Sequence, residues 1–232
     1  DIKVKINDTP ILYLPYVRTA IGKEKFSGFL TPSIKQGKDG LDLSVPYFFN
    51  LAPNYDLTLS PRFIDDRGLG FSGEGRYLTS HSKGKLKIAN FSKDKRFEQL
   101  TGISGNRWSG HWNNISRVGS NLFLRINTEY VSDDLFYEDL NDDILGTQQK
   151  DYISRNLKIN WKGKNLRVKG EVNNFQNLNP FASNDYDTEP SLALNFHKKL
   201  QDFDIRVDAI YSKFSFEDYF NPFNKENSIR RT

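Results

Sequence analysis

Apolar and polar side chains alternate with a period of two along most of this chain, a pattern that suits β-strands whose two faces meet different surroundings. Over 122–130, Leu122, Leu124, Ile126, Thr128 and Tyr130 fall on one face and Arg125, Asn127 and Glu129 on the other. The scheme returns over 156–161, where Leu157, Ile159 and Trp161 oppose Lys158 and Asn160. It returns over 165–173, with Leu166, Val168 and Val172 against Arg167, Lys169 and Glu171. A fourth case, over 202–212, sets Phe203, Ile205, Val207, Ala209 and Tyr211 against Asp204, Arg206 and Asp208. Helical periodicity is nowhere sustained. With 27% charged residues the chain is too polar for helical membrane spans, and with 14% aromatic residues it is too aromatic for a disordered segment. Any membrane role must therefore use strands.

The connections alternate in length as well. Compact punctuation near 52–54, 80–84, 116–120, 162–164 and 198–201 is interleaved with longer polar stretches at 93–105, 132–150 and 177–187. Two connections on the long side, near 36–40 and 65–67, are short exceptions. Short turns on one rim and long loops on the other are the signature of an up-and-down transmembrane barrel, whose tilted strands need roughly 9–11 residues to cross the hydrocarbon. Tyr77, Phe91, Trp112, Tyr130, Trp161, Phe175 and Phe214 fall near strand ends, where aromatic girdles mark the membrane interfaces. The same alternation also suits a soluble antiparallel sandwich, with these rings covering a core edge.

Residues 1–18 differ from the rest. A short alternating strand, an Asn7-Asp8 turn and the apolar run 11–17 read as an edge of a packed sheet, with a boundary between Thr19 and Phe26. The expected division is 1–26 and 27–232. The chain lacks Met and a basic, apolar leader, and the expectation is that it is cut from a longer one.

Several chemistries find no support. The net charge of +4 arises from 33 basic and 29 acidic residues that are intermixed, a weak basis for nucleic-acid binding. Cysteine is absent, which removes disulfides and thiolate chemistry. His81, His111 and His197 are scattered without metal or triad spacing. The string Gly68-Leu69-Gly70-Phe71-Ser72-Gly73 fits a dinucleotide fingerprint, but Glu74, Arg76 and Tyr77 continue an alternating strand where a helix would have to open. The acidic stretch 137–143 lacks the glycine of a calcium loop and reads as solvated. The expectation is a protein with no catalytic residues, no metal and no cofactor.

Two prolines are more informative. Pro32 and Pro46 interrupt otherwise good strand segments, 29–34 and 43–48. Proline cannot donate to a ladder, so a proline in each of two adjacent strands suggests a weakened seam, the alternative being edge strands guarded against aggregation.

At these residues the chain resembles the LPS-assembly outer-membrane protein family, LptD (OstA/Imp). The resemblance is carried by Tyr13-Leu14-Pro15-Tyr16, by Ser27-Gly28-Phe29-Leu30-Thr31-Pro32 and above all by 45–62, from Val45-Pro46-Tyr47-Phe48-Phe49-Asn50 to Ser60-Pro61-Arg62. Arg67-Gly68 and Gly75-Arg76-Tyr77-Leu78 follow, and looser similarity runs on through Arg107-Trp108, 130–137, Asn174-Phe175-Gln176 and Glu189-Pro190. The resemblance implies an all-β fold: residues 1–26 would end a periplasmic β-jellyroll and 27–232 would form the N-terminal portion of an outer-membrane barrel. Roughly eleven candidate strands are too few for the barrel of that family and odd in number, where closed bacterial barrels have even counts, so an open sheet is expected.

The resemblance further implies a lipopolysaccharide translocon with a lateral gate between first and last barrel strands, with Pro32 and Pro46 as its ladder-weakening prolines. Its implied partners are lipopolysaccharide, an LptE-type plug lipoprotein in the lumen, a periplasmic LPS bridge protein at the jellyroll, and outer-membrane lipids. Alternation, independently, proposes Glu74, Arg76, Arg125, Glu129, Lys158, Arg167, Lys169, Glu171, Arg206 and Asp208 as luminal residues, solvating a channel. The rival readings are a passive porin-like or adhesive barrel and a soluble carbohydrate-active β protein.

Overall fold

A computed structural model describes the backbone of residues 2–6, 9–14, 26–140, 152–178 and 187–215, with side chains from residue 26 to residue 213 outside the gaps and outside 187–189. Strands β1 (Ile2–Ile6) and β2 (Thr9–Leu14) form a two-stranded hairpin of their own. Every other described strand joins one antiparallel sheet.

That sheet begins with four short pieces: β3 (Gly28–Phe29), β4 (Ser33–Gly37), β5 (Gly40–Ser44) and β6 (Tyr47–Ala52). It continues through β7 (Tyr55–Ile64), β8 (Gly68–Leu78), β9 (Ser82–Phe91) and β10 (Arg107–Val118). It ends with β11 (Leu122–Val131), β12 (Tyr152–Lys162), β13 (Leu166–Asn177), β14 (Asp187–Lys199) and β15 (Asp204–Ser215). From β7 to β15 each strand pairs with its sequence neighbours. β4 pairs with β5 and β3 with β6, while β5 and β6 both pair with β7. The four short pieces are therefore two strands, each broken once, and the thirteen pieces make eleven strands of an open up-and-down wall.

Register sorts the two faces. One row crosses the wall as Leu59, Gly73, Ile88, Gly110 and Tyr130. On the opposite face Arg125 stands against Lys158, and Lys158 against Glu171. The apolar face is left bare: Phe63, Leu69, Phe71, Ile88, Trp112, Tyr130, Trp161 and Val207 are all exposed. In a sandwich a second sheet covers that face. Among the described residues none does, and a continuous bare apolar surface is what a membrane-facing wall presents.

The long-loop rim departs from the sequence reading. Residues 93–105 contain a helix, α1 (Lys95–Thr101), capped by Asp94, whose side chain accepts the Phe97 N–H at 3.0 Å, and closed by Gly102 in the left-handed region. The 132–150 stretch contains a single turn, α2 (Phe136–Asp139); the remainder of that stretch, with most of 177–187, lies outside the described residues. Phe136, Tyr137 and Leu140 are buried against Ile64, Ala89, Phe91 and Val131. Phe91, expected in an aromatic girdle, is instead 2% exposed, because α2 covers the upper end of the charged face.

The first hairpin turns at Gly40, which has φ +84 and whose missing Cβ would stand 2.7 Å from the Asp65 Cβ. Asp65 in turn accepts the Leu41 N–H at 3.0 Å. Gly40→Ala is expected to destabilise the folded wall by about 1–2 kcal/mol or more through a left-handed Cβ and this clash. The measurement is the urea midpoint of the folded, detergent-solubilised protein against the unaltered one.

Candidate functional site

Two features rise above the regular wall: a defective ladder at its leading edge and a buried ionic cluster at its long-loop rim. The ladder defect follows from the prolines. Leu30 donates its N–H to the Pro46 carbonyl at 2.9 Å, and Val45 donates to the Pro61 carbonyl at 3.1 Å. In a hydrogen-bonded antiparallel pair the bonds are reciprocal, but neither Pro46 nor Pro61 has an N–H to return. One rung is thus half-made between the first and second strands and another between the second and third. Pro32 sits in the break between β3 and β4, where it adds a third residue without a donor. Below the break, β3 contributes only Gly28↔Phe48 and Phe29↔Tyr47. Pro61 was not singled out from the sequence, since its effect depends on Val45 lying opposite.

The cluster is built on two arginines, Arg67 in the β7–β8 turn and Arg107 at the start of β10, each with a side chain 1% exposed. Arg67 reaches Asp39 at 2.7 Å, Asp94 at 2.8 Å and Asp139 at 3.1 Å. Arg107 grips Asp133 with Nε and Nη2, at 2.9 and 2.7 Å, and meets Asp94 and Asp139 with Nη1, both at 2.9 Å. Its guanidinium lies 4.2 Å from the centre of the Phe97 ring. Asp94 is fully enclosed and carries three duties with one carboxylate: it caps α1 and bridges both arginines. Gly105 makes this possible, because a Cβ there would come within 2.6 Å of the Asp94 backbone. Two arginines face four carboxylates, and Arg96 on Asp39 at 3.0 Å with Lys38 on Asp139 at 3.8 Å brings the charges level.

Burial opposes the charge on Arg67, but Asp39 and Asp94 outweigh it and hold the guanidinium above its ordinary range. Four separate connections therefore meet at one charge-balanced knot: the first hairpin turn, the β7–β8 turn, the α1 segment and the α2 segment. Asp139, expected on a solvated loop, is a working part of it.

The ten residues proposed from alternation lie where register puts them, on the face opposite the bare apolar rows. Glu74 stands near Lys85 at 3.3 Å, and Arg76 pairs with Asp56 at 2.6 Å. Lys158 pairs with Glu171 at 2.6 Å, Arg206 with Asp204 at 3.1 Å, and Asp208 accepts from Asn195 at 2.7 Å. Arg125 lies over the Phe123 ring at 5.8 Å, while Arg167 and Lys169 face Asn195 and Ala193 on β14. Glu129 is the exception to solvation: it is buried and accepts the Tyr137 hydroxyl. Its neighbour Tyr137 is pushed up, by burial and then by that hydrogen bond. The histidines do not converge, and no metal-ligating group of side chains occurs among the described residues.

An up-and-down antiparallel wall with one bare apolar face, one charged face and a rim of folded loops defines a β-barrel protein. Residues 105–232 match the family profile described as LptD, LPS transport system D. The chain is 31% identical over 216 residues to the LPS-assembly protein LptD of Pseudomonas entomophila (strain L48), covering 90% of this chain and 23% of the relative. It is 33% identical over 198 residues to that of Pseudomonas putida (strain GB-1), covering 84% and 21%, and 33% identical over 190 residues to that of Legionella pneumophila (strain Lens), covering 77% and 22%. This chain belongs to the LptD family. It spans less than a quarter of the length of these curated relatives.

Arg107→Met removes a buried cation from three carboxylates and is expected to destabilise the wall by about 3–5 kcal/mol. Arg107→Lys is expected to recover little, because an ammonium cannot grip Asp133 with two parallel bonds. Urea midpoints of the two variants check both statements. Tyr137 gives a pH test with a definite sign. Unfolded, it loses its proton near its ordinary value of 10.0, while the folded protein keeps it. Its contribution is complete below pH 10 and declines above it, by up to about 1.4 kcal/mol per pH unit. Tyr137→Phe should flatten that alkaline decline, measured by denaturation on either side of pH 10.

Proposed function

We propose that this chain is the leading wall of an outer-membrane lipopolysaccharide translocon, with residues 1–26 closing a periplasmic β-jellyroll and 27–232 forming the N-terminal portion of the barrel. The bare apolar face meets outer-membrane lipid, and the charged face lines the lumen. Lipopolysaccharide arrives from a periplasmic bridge protein at the jellyroll, its sugars follow the charged face, and an LptE-type plug lipoprotein fills the lumen. The protein transports and does not catalyse.

The observation that carries this reading is the half-made ladder at the leading edge. Each absent rung withholds about 0.5–1.5 kcal/mol of net stabilisation. A barrel that only conducts solutes needs closed pairing throughout, since unsatisfied backbone groups facing lipid cost several kcal/mol each. Weak pairing at the leading edge, in the first three strands, is suited to lateral release between first and last strands, with Pro32 and Pro46 as gate residues joined by Pro61.

Replacing Pro32, Pro46 and Pro61 with Val in the full-length protein restores the donors. The paired state of the first three strands should gain about one to two decades in population, since two restored rungs are worth about 1–3 kcal/mol and about 1.4 kcal/mol is one decade. Surface-exposed lipopolysaccharide should fall accordingly, with heat-modifiable mobility confirming that the barrel still forms. Normal export would remove the gate and favour a passive barrel. Charge reversal at Arg125, Arg167 and Lys169 should likewise lower export without impairing insertion; unchanged export would leave these residues as lumen solvation only.

A further inference from the structure

The seam is held very differently at its two ends. At the long-loop end the first hairpin is fixed by both backbone and charge: Asp66 donates to the Asp39 carbonyl at 3.1 Å, and Asp65 to the Leu41 carbonyl at 3.0 Å. Arg62 grips Asp42 through two bonds, at 2.8 and 2.7 Å. The Asp39 carboxylate is enclosed between Arg67 and Arg96, and Arg67 is itself tied to α1 and α2 through Asp94 and Asp139. Moving this hairpin turn would strand a desolvated carboxylate and a desolvated guanidinium together, which is the costly way to break a buried pair.

Among the described residues, no ionic cluster of this kind holds the short-turn end of the first strand. Strand β3 offers two paired residues, helped by Ser27 Oγ accepting the Asn50 N–H at 2.8 Å. Between the two ends lie the breaks at 30–32 and 45–46 with their prolines. A strand clamped above, weakly paired below and interrupted in the middle bends at the interruption.

We infer that Arg67, with Arg107 behind it, is a positioning residue for export: through Asp39 it clamps the long-loop half of the first strand, so that the seam parts from its short-turn half, pivoting at the prolines. The inference rests on the seam reading of the preceding section and specifies which half of the strand moves. It also explains why two arginines and four aspartates are concentrated at this rim and not spread along the charged face. The clamp keeps the external half of the wall in register while the half nearer the jellyroll yields.

Two pairs of spin labels in the full-length barrel, in lipid nanodiscs with and without lipopolysaccharide, test this. Gln36→Cys with Leu100→Cys spans the clamp, both positions being exposed; Gly28→Cys with Lys164→Cys spans the short-turn end, and a side chain at Gly28 meets open space. The expected result is one narrow distance for the first pair in both conditions and a broad or split distribution for the second. Asp39→Asn should cost the first pair its narrow distance in a barrel that remains heat-modifiable. If that variant fails to fold, Arg96→Gln, which leaves Arg67 on Asp39, should loosen the same contact partially. A first pair as broad as the second in the unaltered protein overturns the clamp while leaving the seam standing, and so does a first pair that stays narrow in both variants. Two narrow pairs in a protein that exports normally overturn the seam and the clamp with it.

Discussion

A strand in a membrane wall has no water on its lipid side to satisfy its backbone, so its stability depends on ladder bonds to both neighbours. From β7 to β15 the register is nearly continuous, with irregularities confined to the long-loop end of β13–β14 and β14–β15. The defects that matter are elsewhere, in the first three strands, where prolines leave Leu30 and Val45 donating to partners that cannot answer. The first three strands thus lack two of the reciprocal bonds that a regular antiparallel ladder makes.

The ionic cluster supplies the opposite property. Ion pairs this deeply enclosed are poor sources of net stability, because desolvation offsets most of the attraction. Their effect is selective: every mis-docked arrangement leaves a buried charge alone, so the four rim connections have one acceptable mutual placement. Asp94 shows the economy of the device, since one carboxylate ends a helix and bridges two arginines. The apolar contacts of Phe136 and Leu140 seal the knot from water and so strengthen it. The first strand is thus sparsely paired over Gly28–Phe29 and docked by charge at Asp39.

Much of this was legible in the chain. The two-residue period gave the strands, their faces and their count, because a strand's side chains alternate whatever it pairs with. That Pro32 and Pro46 withhold ladder donors was legible because a missing donor is a property of the residue itself. The helix between Asp94 and Gly102 was not read from the sequence, because seven residues of helix inside a polar stretch look like loop. Pro61 passed unremarked, and so did the burial of Phe91 and Glu129 and the ion pairs of Asp139, since each depends on what lies across from it.

The sequence by itself determined that the chain makes antiparallel strands with one apolar and one charged face, and that its leading strands are poor in donors. These follow from local chemistry, from side-chain alternation and the proline ring. Only the tertiary structure decided that Val45 faces Pro61, that Arg62 reaches the carbonyl of Leu140 from 78 residues away, and that Arg67 gathers Asp39, Asp94 and Asp139. Register and charge pairing are relations between distant residues, and an arginine carries no mark of which aspartates will meet it until the loops between them have folded.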